Sequence, residues 1–110
     1  DDHIKNIAFL MNPQGQWSLA PAYDLGYAYN PNGDWTATHQ MSVNSKRDGF
    51  TISDLRACAS TAMLKRGRER QLLEEVRAAV ARWQEFAAQA GVNPAWREAI
   101  SRQHRMNWID

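Results

Sequence analysis

Apolar and polar positions follow two different rhythms along the chain, and the change falls near residue 50. Ile7-Ala8-Phe9-Leu10-Met11 is an apolar run of strand length, and Asn12-Pro13-Gln14-Gly15 behind it combines the Pro and Gly of turns. Gln16-Trp17-Ser18-Leu19-Ala20 then alternates polar and apolar, as a half-buried strand does. Together they predict a β-hairpin that Pro21 ends. Residues 26–38 carry Tyr27, Tyr29, Asn30, Pro31, Asn32, Gly33 and Trp35 without a period, which predicts a loop too aromatic to be disordered. A short strand is expected over 39–43 and a polar loop over 44–49.

Beyond residue 50 the rhythm becomes helical. Thr51-Ile52-Ser53-Asp54 has the form of a capping box, with Asp in place of the usual Glu. Ile52, Leu55, Ala59 and Ala62 recur at three and four residues, predicting a helix over 52–65. Leu72, Val76, Val80, Trp83, Ala87 and Ala90 fall on one stripe, predicting a single helix over 68–90 that Gly91 stops. Asn93 and Pro94 supply the N-cap and first-turn proline of a third helix, with Trp96, Ile100, His104 and Trp108 on one face. The expected fold is therefore mainly α, of the α+β kind: an N-terminal β-hairpin and long loop leading into about three helices.

A length of 110 residues bounds this to a single domain, 1–110, in which 1–25, 26–50 and 51–110 are successive regions. Such a chain buries roughly two thirds of its unfolded surface without needing a staple. The only cysteine, Cys58, excludes an intrachain disulfide and a cysteine-based zinc site, and fits a reducing, cytoplasmic setting. No apolar run approaches the ~18 residues of a membrane span. The net charge of +1 is tilted: residues 1–60 hold six acids and four bases, and residues 61–110 hold six acids and nine bases. That falls short of the basic excess of a nucleic-acid binder. The chain opens without an initiator Met on Asp1-Asp2-His3, as a piece of a longer polypeptide would.

The densest chemistry lies at that start. In Asp1-Asp2-His3-Ile4-Lys5-Asn6, Asp1 and Asn6 have the D-x-x-x-x-N spacing of the protein-kinase catalytic loop. There the carboxylate orients the substrate hydroxyl, and the Asn reaches a Mg²⁺ ion from the other side of one tight loop. That spacing is common by chance, so a second signal matters. Kinases follow the catalytic loop with a β-hairpin and then a second metal-binding Asp. Here the predicted hairpin ends at Pro21 and Asp24 follows in Ala22-Tyr23-Asp24-Leu25-Gly26, eighteen residues after Asn6.

Asp-Asp-His-Ile-Lys-Asn, the apolar strand after it, Leu-Ala-Pro-Ala-Tyr-Asp and His-Gln-Met-Ser-Val-Asn-Ser-Lys together resemble the HipA-type serine/threonine kinase toxins of bacterial toxin–antitoxin systems. The resemblance spans residues 1–50 and is only architectural over the helices. It implies a fragment of a kinase-like, mainly helical C-terminal lobe that transfers the γ-phosphate of ATP to Ser or Thr of a protein. By the resemblance Asp1 is the catalytic aspartate, Asn6 and Asp24 are Mg²⁺ ligands, and Tyr23 lies beside the nucleotide. His3 and Lys5 belong to the motif and either contact phosphate or brace the loop. A HipB-like DNA-binding antitoxin and a protein substrate such as an aminoacyl-tRNA synthetase are the implied partners, with DNA reached only through the antitoxin and no membrane involved. The family's nucleotide-binding lobe, with its phosphate-contacting Lys, has no counterpart here, and no Walker-type or Gly-rich phosphate loop occurs. The chain by itself is therefore expected to bind ATP weakly and to be inactive.

Blander readings apply to the other candidates. Asp2 is expected to brace a loop or face solvent, and His3, His39 and His104 are too scattered to form a metal triad. His104 is expected to cap the edge of a helix interface. Cys58 reads as a small core residue, and Trp83, Phe86 and Trp96 as core aromatics. The arginines over 66–82 interleave with Glu69, Glu74 and Glu75, as on a solvated, ion-paired helix face. The competing function class is a non-catalytic helical module binding an antitoxin or nucleic acid, which has no need of Asp1, Asn6 and Asp24 as a set.

Overall fold

The computed structural model describes residues 3–108. The described chain runs through a 3₁₀ turn Ile4–Asn6, strands β1 (Phe9–Met11) and β2 (Trp17–Leu19), and helices α1 (Ile52–Thr61), α2 (Arg68–Ala81), α3 (Trp83–Gln89) and α4 (Pro94–Ser101). This is a mainly helical α+β fold with a two-stranded antiparallel hairpin at its start. It divides into two compact units, residues 1–49 and 50–110.

In the first unit β1 and β2 pair antiparallel with Phe9 opposite Leu19 and Met11 opposite Trp17. The turn is closed by the Asn12 side chain, whose Oδ1 accepts from Gln14 N at 3.0 Å and Gln16 N at 2.9 Å. Gly15 sits at φ 78°, the left-handed residue that a three-residue hairpin loop requires. The strand expected over 39–43 is absent. Instead Val43 and Lys46 exchange backbone hydrogen bonds across Asn44 (φ 51°) and Ser45 (φ 64°). Two consecutive left-handed residues make a type I′ turn, and only an isolated bridge forms around it.

In the second unit the helices pack in sequence, α1 on α2, α2 on α3 and α3 on α4. The capping box forms: Thr51 Oγ1 accepts from Asp54 N, and Asp54 Oδ2 accepts from Thr51 N at 2.8 Å. Helix α1 ends at Thr61, short of the expected residue 65. Met63 turns left-handed (φ 53°) and Leu64 N donates to Ala59 O at 2.9 Å, which closes the last turn as a Schellman motif. Gly91 (φ 70°) does the same for α3, with Val92 N on Ala87 O.

The long helix expected over 68–90 is two. Arg82 leaves helical geometry at φ −86° and ψ 11°, and its N–H donates to the i−3 carbonyl of Ala79 at 3.1 Å. Its guanidinium pairs with both oxygens of Glu85 and stacks over the Phe86 ring, so the break is held from the α3 side. Next to it, Trp83 Nε1 donates to Arg97 O of α4, and the His104 ring meets the Trp83 ring edge-on at 5.6 Å. The third expected helix stops at Ser101, so His104 and Trp108 lie beyond it.

Among the described residues the buried apolar ones are Ile52, Ala59, Leu73, Ala87 and Ile100, all in the second unit. The core stripe expected on α2 was rotated: Leu73 is buried, whereas Leu72 and Val76 are exposed, Val76 by 59%. Phe86, Trp96 and Cys58 are likewise exposed rather than core. Glu69, expected in solvent, is buried and faces Arg56 at 3.8 Å. The rest of that face is ion-paired as expected, through Arg68–Glu75 and Arg77–Glu74. No helix among the described residues is long and apolar enough to cross a membrane.

Candidate functional site

The sequence turns once, tightly, before the hairpin. His3 caps the 3₁₀ turn, Asn6 N donates to His3 O at 3.0 Å, and Ile7 N donates to Ile4 O at 3.2 Å. This short turn brings Asn6 round to a half-buried position and leaves Lys5 exposed. The hairpin then doubles the chain back, and Ala20 N donates to Ala8 O at 2.9 Å. Residues 23 and 24 thereby return to residues 5 and 6.

Two hydrogen bonds fasten the return, each spanning eighteen residues. Tyr23 donates its hydroxyl to the Lys5 carbonyl at 2.9 Å. Asn6 donates Nδ2 to Asp24 Oδ2 at 2.5 Å. Asp24 itself is left-handed at φ 54°, a conformation uncommon for a non-glycine residue and aided by local restraint. Bonds at Tyr23 and Asp24 supply that restraint.

The remaining oxygen of the Asn6 amide, Oδ1, is buried without a hydrogen-bond partner. A buried carbonyl oxygen left unpaired costs about 1–3 kcal/mol, so one beside a carboxylate calls for an acceptor-seeking group. A hard divalent cation is such a group. Mg²⁺ takes oxygen ligands and is commonly held by one or two side chains plus substrate phosphates. The Asn6 amide oxygen and the Asp24 carboxylate fit it in donor type. Among the described residues no group of three or more His, Cys, Asp or Glu could hold a metal, so these two oxygen donors would need phosphate and water to complete the sphere.

The family model for the HipA-like C-terminal domain matches residues 1–84. The chain belongs to that family. The match runs through the site, the loop, α1 and α2 into the start of α3, well past the residue-50 limit that the motifs alone reach. No curated protein and no solved structure matched in the corresponding comparisons.

Of the residues singled out in this HipA-like domain, the fold brings Asn6, Tyr23 and Asp24 together, with Lys5 contributing its backbone carbonyl and His3 the cap of the turn. Asp1 and Asp2 lie outside the described residues. Tyr27, Tyr29 and Trp35 remain exposed, in a loop fixed by Gly33 N on Asn30 O and Asn32 N on Asn30 Oδ1. Two features escaped the sequence reading: the Tyr23 hydroxyl as a tie to Lys5, and the left-handed Asp24. Asp is among the residues that tolerate that region, but nothing in the Tyr-Asp-Leu-Gly string marks it.

Proposed function

We propose that this HipA-like domain carries the metal-binding side of a phosphoryl-transfer site in a serine/threonine protein kinase of a bacterial toxin–antitoxin pair. The supporting observation is the juxtaposition of Asn6 and Asp24 across eighteen residues, with one Asn6 oxygen buried and unpaired. Sequence order supports it too, since Asp1, Asn6, hairpin and Asp24 follow one another as catalytic loop, hairpin and metal Asp do in kinases.

In this reading Asn6 Oδ1 and the Asp24 carboxylate would hold Mg²⁺, which would supply charge neutralisation for the phosphates of ATP. Asp1 orients the hydroxyl of a substrate Ser or Thr and accepts its proton. Tyr23 stands beside the nucleotide, while His3 and Lys5 brace the turn or meet phosphate. The residues act by positioning and by electrostatics rather than by covalent chemistry. The partners in this reading are a HipB-like antitoxin and a protein substrate such as an aminoacyl-tRNA synthetase, in the cytoplasm.

The test is radiolabel transfer from ATP by the intact HipA-family protein. Asp24→Asn and Asn6→Ala should each lower the transfer rate at least ~100-fold, the cost of misplacing a catalytic group by ~1 Å, with the far-UV circular dichroism spectrum at 25 °C unchanged. Normal turnover in either variant overturns the metal assignment.

A further inference from the structure

The two ties between residues 5–6 and 23–24 are unequal in kind. Asn6–Asp24 joins the two proposed cation ligands directly, so an ion at the pair would compete with it for the Asp24 carboxylate. Tyr23–Lys5 joins a side chain to a backbone carbonyl one residue away from each ligand, and a cation at the pair has no reason to disturb it. It fixes the peptide that precedes Asp24, where the left-handed φ of 54° must be maintained. It also fixes the carbonyl that precedes Asn6.

We propose that Tyr23 is a positioning residue for the divalent-cation pair: its hydroxyl, on the Lys5 carbonyl, holds Asn6 and Asp24 in register before the ion arrives. This rests on the metal-pair reading above and adds a role for the hydroxyl, separate from any contact of the ring with a nucleotide. The physical basis is preorganisation. A site whose ligands are already held together loses less conformational freedom on binding, and the gain appears as affinity. Asp24 has particular need of it, because without the tie its backbone relaxes toward the ordinary φ of an L-residue and carries the carboxylate away from Asn6.

The experiment uses the full 110-residue chain and Tyr23→Phe, which removes only the hydroxyl. Mn²⁺, an oxygen-seeking paramagnetic stand-in for Mg²⁺, is titrated by water-proton relaxation, and the metal-free NMR spectrum is recorded for both chains. The loss of one net hydrogen bond should weaken Mn²⁺ binding about three- to tenfold while the far-UV circular dichroism spectrum at 25 °C stays that of the parent. The metal-free Asn6 side-chain amide signals should shift, and the backbone amides of Asn6 and Ile7 should exchange faster. Unchanged Asn6 signals and exchange would overturn the proposal. So would moved signals with unchanged Mn²⁺ affinity, since the hydroxyl would then be structural only. If the parent chain binds no Mn²⁺ at Asn6 while its signals still move in Tyr23→Phe, the metal reading fails and the tie alone stands.

Discussion

Ile52, Ala59, Leu73, Ala87 and Ile100 are buried in the helical unit, while in the hairpin unit Phe9, Leu10, Met11, Trp17 and Leu19 all remain exposed. The helical unit is ordered by apolar contact between successive helices and by well-formed helix ends. The hairpin unit is ordered by directed polar bonds: the Asn12 side chain in the turn, the type I′ turn at Asn44 and Ser45, and the two ties from residues 5 and 6 to 23 and 24. The difference is informative because hydrogen bonds fix distance and angle, whereas apolar burial is non-directional. The unit bearing the candidate chemistry is the one whose geometry is set by directed bonds. Substitutions in the two units should therefore fail differently, through stability in one and through the site in the other.

The largest expected effect breaks the helical unit. Leu73→Asp places an unpaired charge at a position only 9% exposed and should destabilise by about 3 kcal/mol or more. Val76→Asp, one turn along the same helix but 59% exposed, should cost no more than about 0.5 kcal/mol. Thermal melts followed by far-UV circular dichroism check both, and equal losses would show that the two sites share one environment. Asp54→Ala removes half of the capping box and should cost about 1–2 kcal/mol, again read from melts. In the hairpin unit Asp24→Asn and Asn6→Ala should leave the helical far-UV signal at 25 °C unchanged and, in the intact protein, lower the proposed phosphoryl transfer at least ~100-fold.

The smallest effect is electrostatic. The hydrogen bond from Arg82 holds the Glu85 carboxyl below its ordinary value, with desolvation opposing it and a hydrogen bond from Gln89 adding a lesser pull in the same direction. Because the folded pKa is depressed, the pair's contribution is fully present above the unfolded carboxylate value and fades as pH falls through the folded one. Arg82 is raised by the same bond, so its own contribution persists until pH climbs past the ordinary arginine value. The gap in melting temperature between parent and Glu85→Gln should be small at pH 7 and close on acidification. A gap that widens toward low pH would contradict the pairing.

Much of this was legible in the residues, for reasons that differ by element. The hairpin, the capping box and the Gly91 stop could be read because each depends on side chains adjacent in sequence. The end of α1 could not, because its left-handed C-terminal residue is Met63 where Gly or Asn is the usual signal. The break at Arg82 is held by its contacts with Glu85 and Phe86 and sits beside the tertiary contacts of Trp83 with Arg97 and His104, and the apolar stripe that runs straight through it announces none of these. The orientation of α2 was misread for a related reason. Leu72, Val76 and Val80 form a regular stripe, but Leu73 and Glu69 are the buried residues, with Glu69 facing Arg56 of α1. At the site, spacing and order picked out Asn6 and Asp24. Their approach across the hairpin, and the Tyr23 tie, required coordinates.

Paramagnetic broadening by Mn²⁺ tests most directly whether Asn6 and Asp24 together make a divalent-cation site. Trace Mn²⁺ added to the isotopically labelled 110-residue chain should broaden the Asn6 side-chain amide and the backbone signals of Asn6 and Asp24 first. Excess Mg²⁺ should restore them, and Asp24→Asn should abolish the effect. Broadening centred instead on the exposed carboxylates Glu74 and Glu75, or unaltered by Asp24→Asn, would contradict the account.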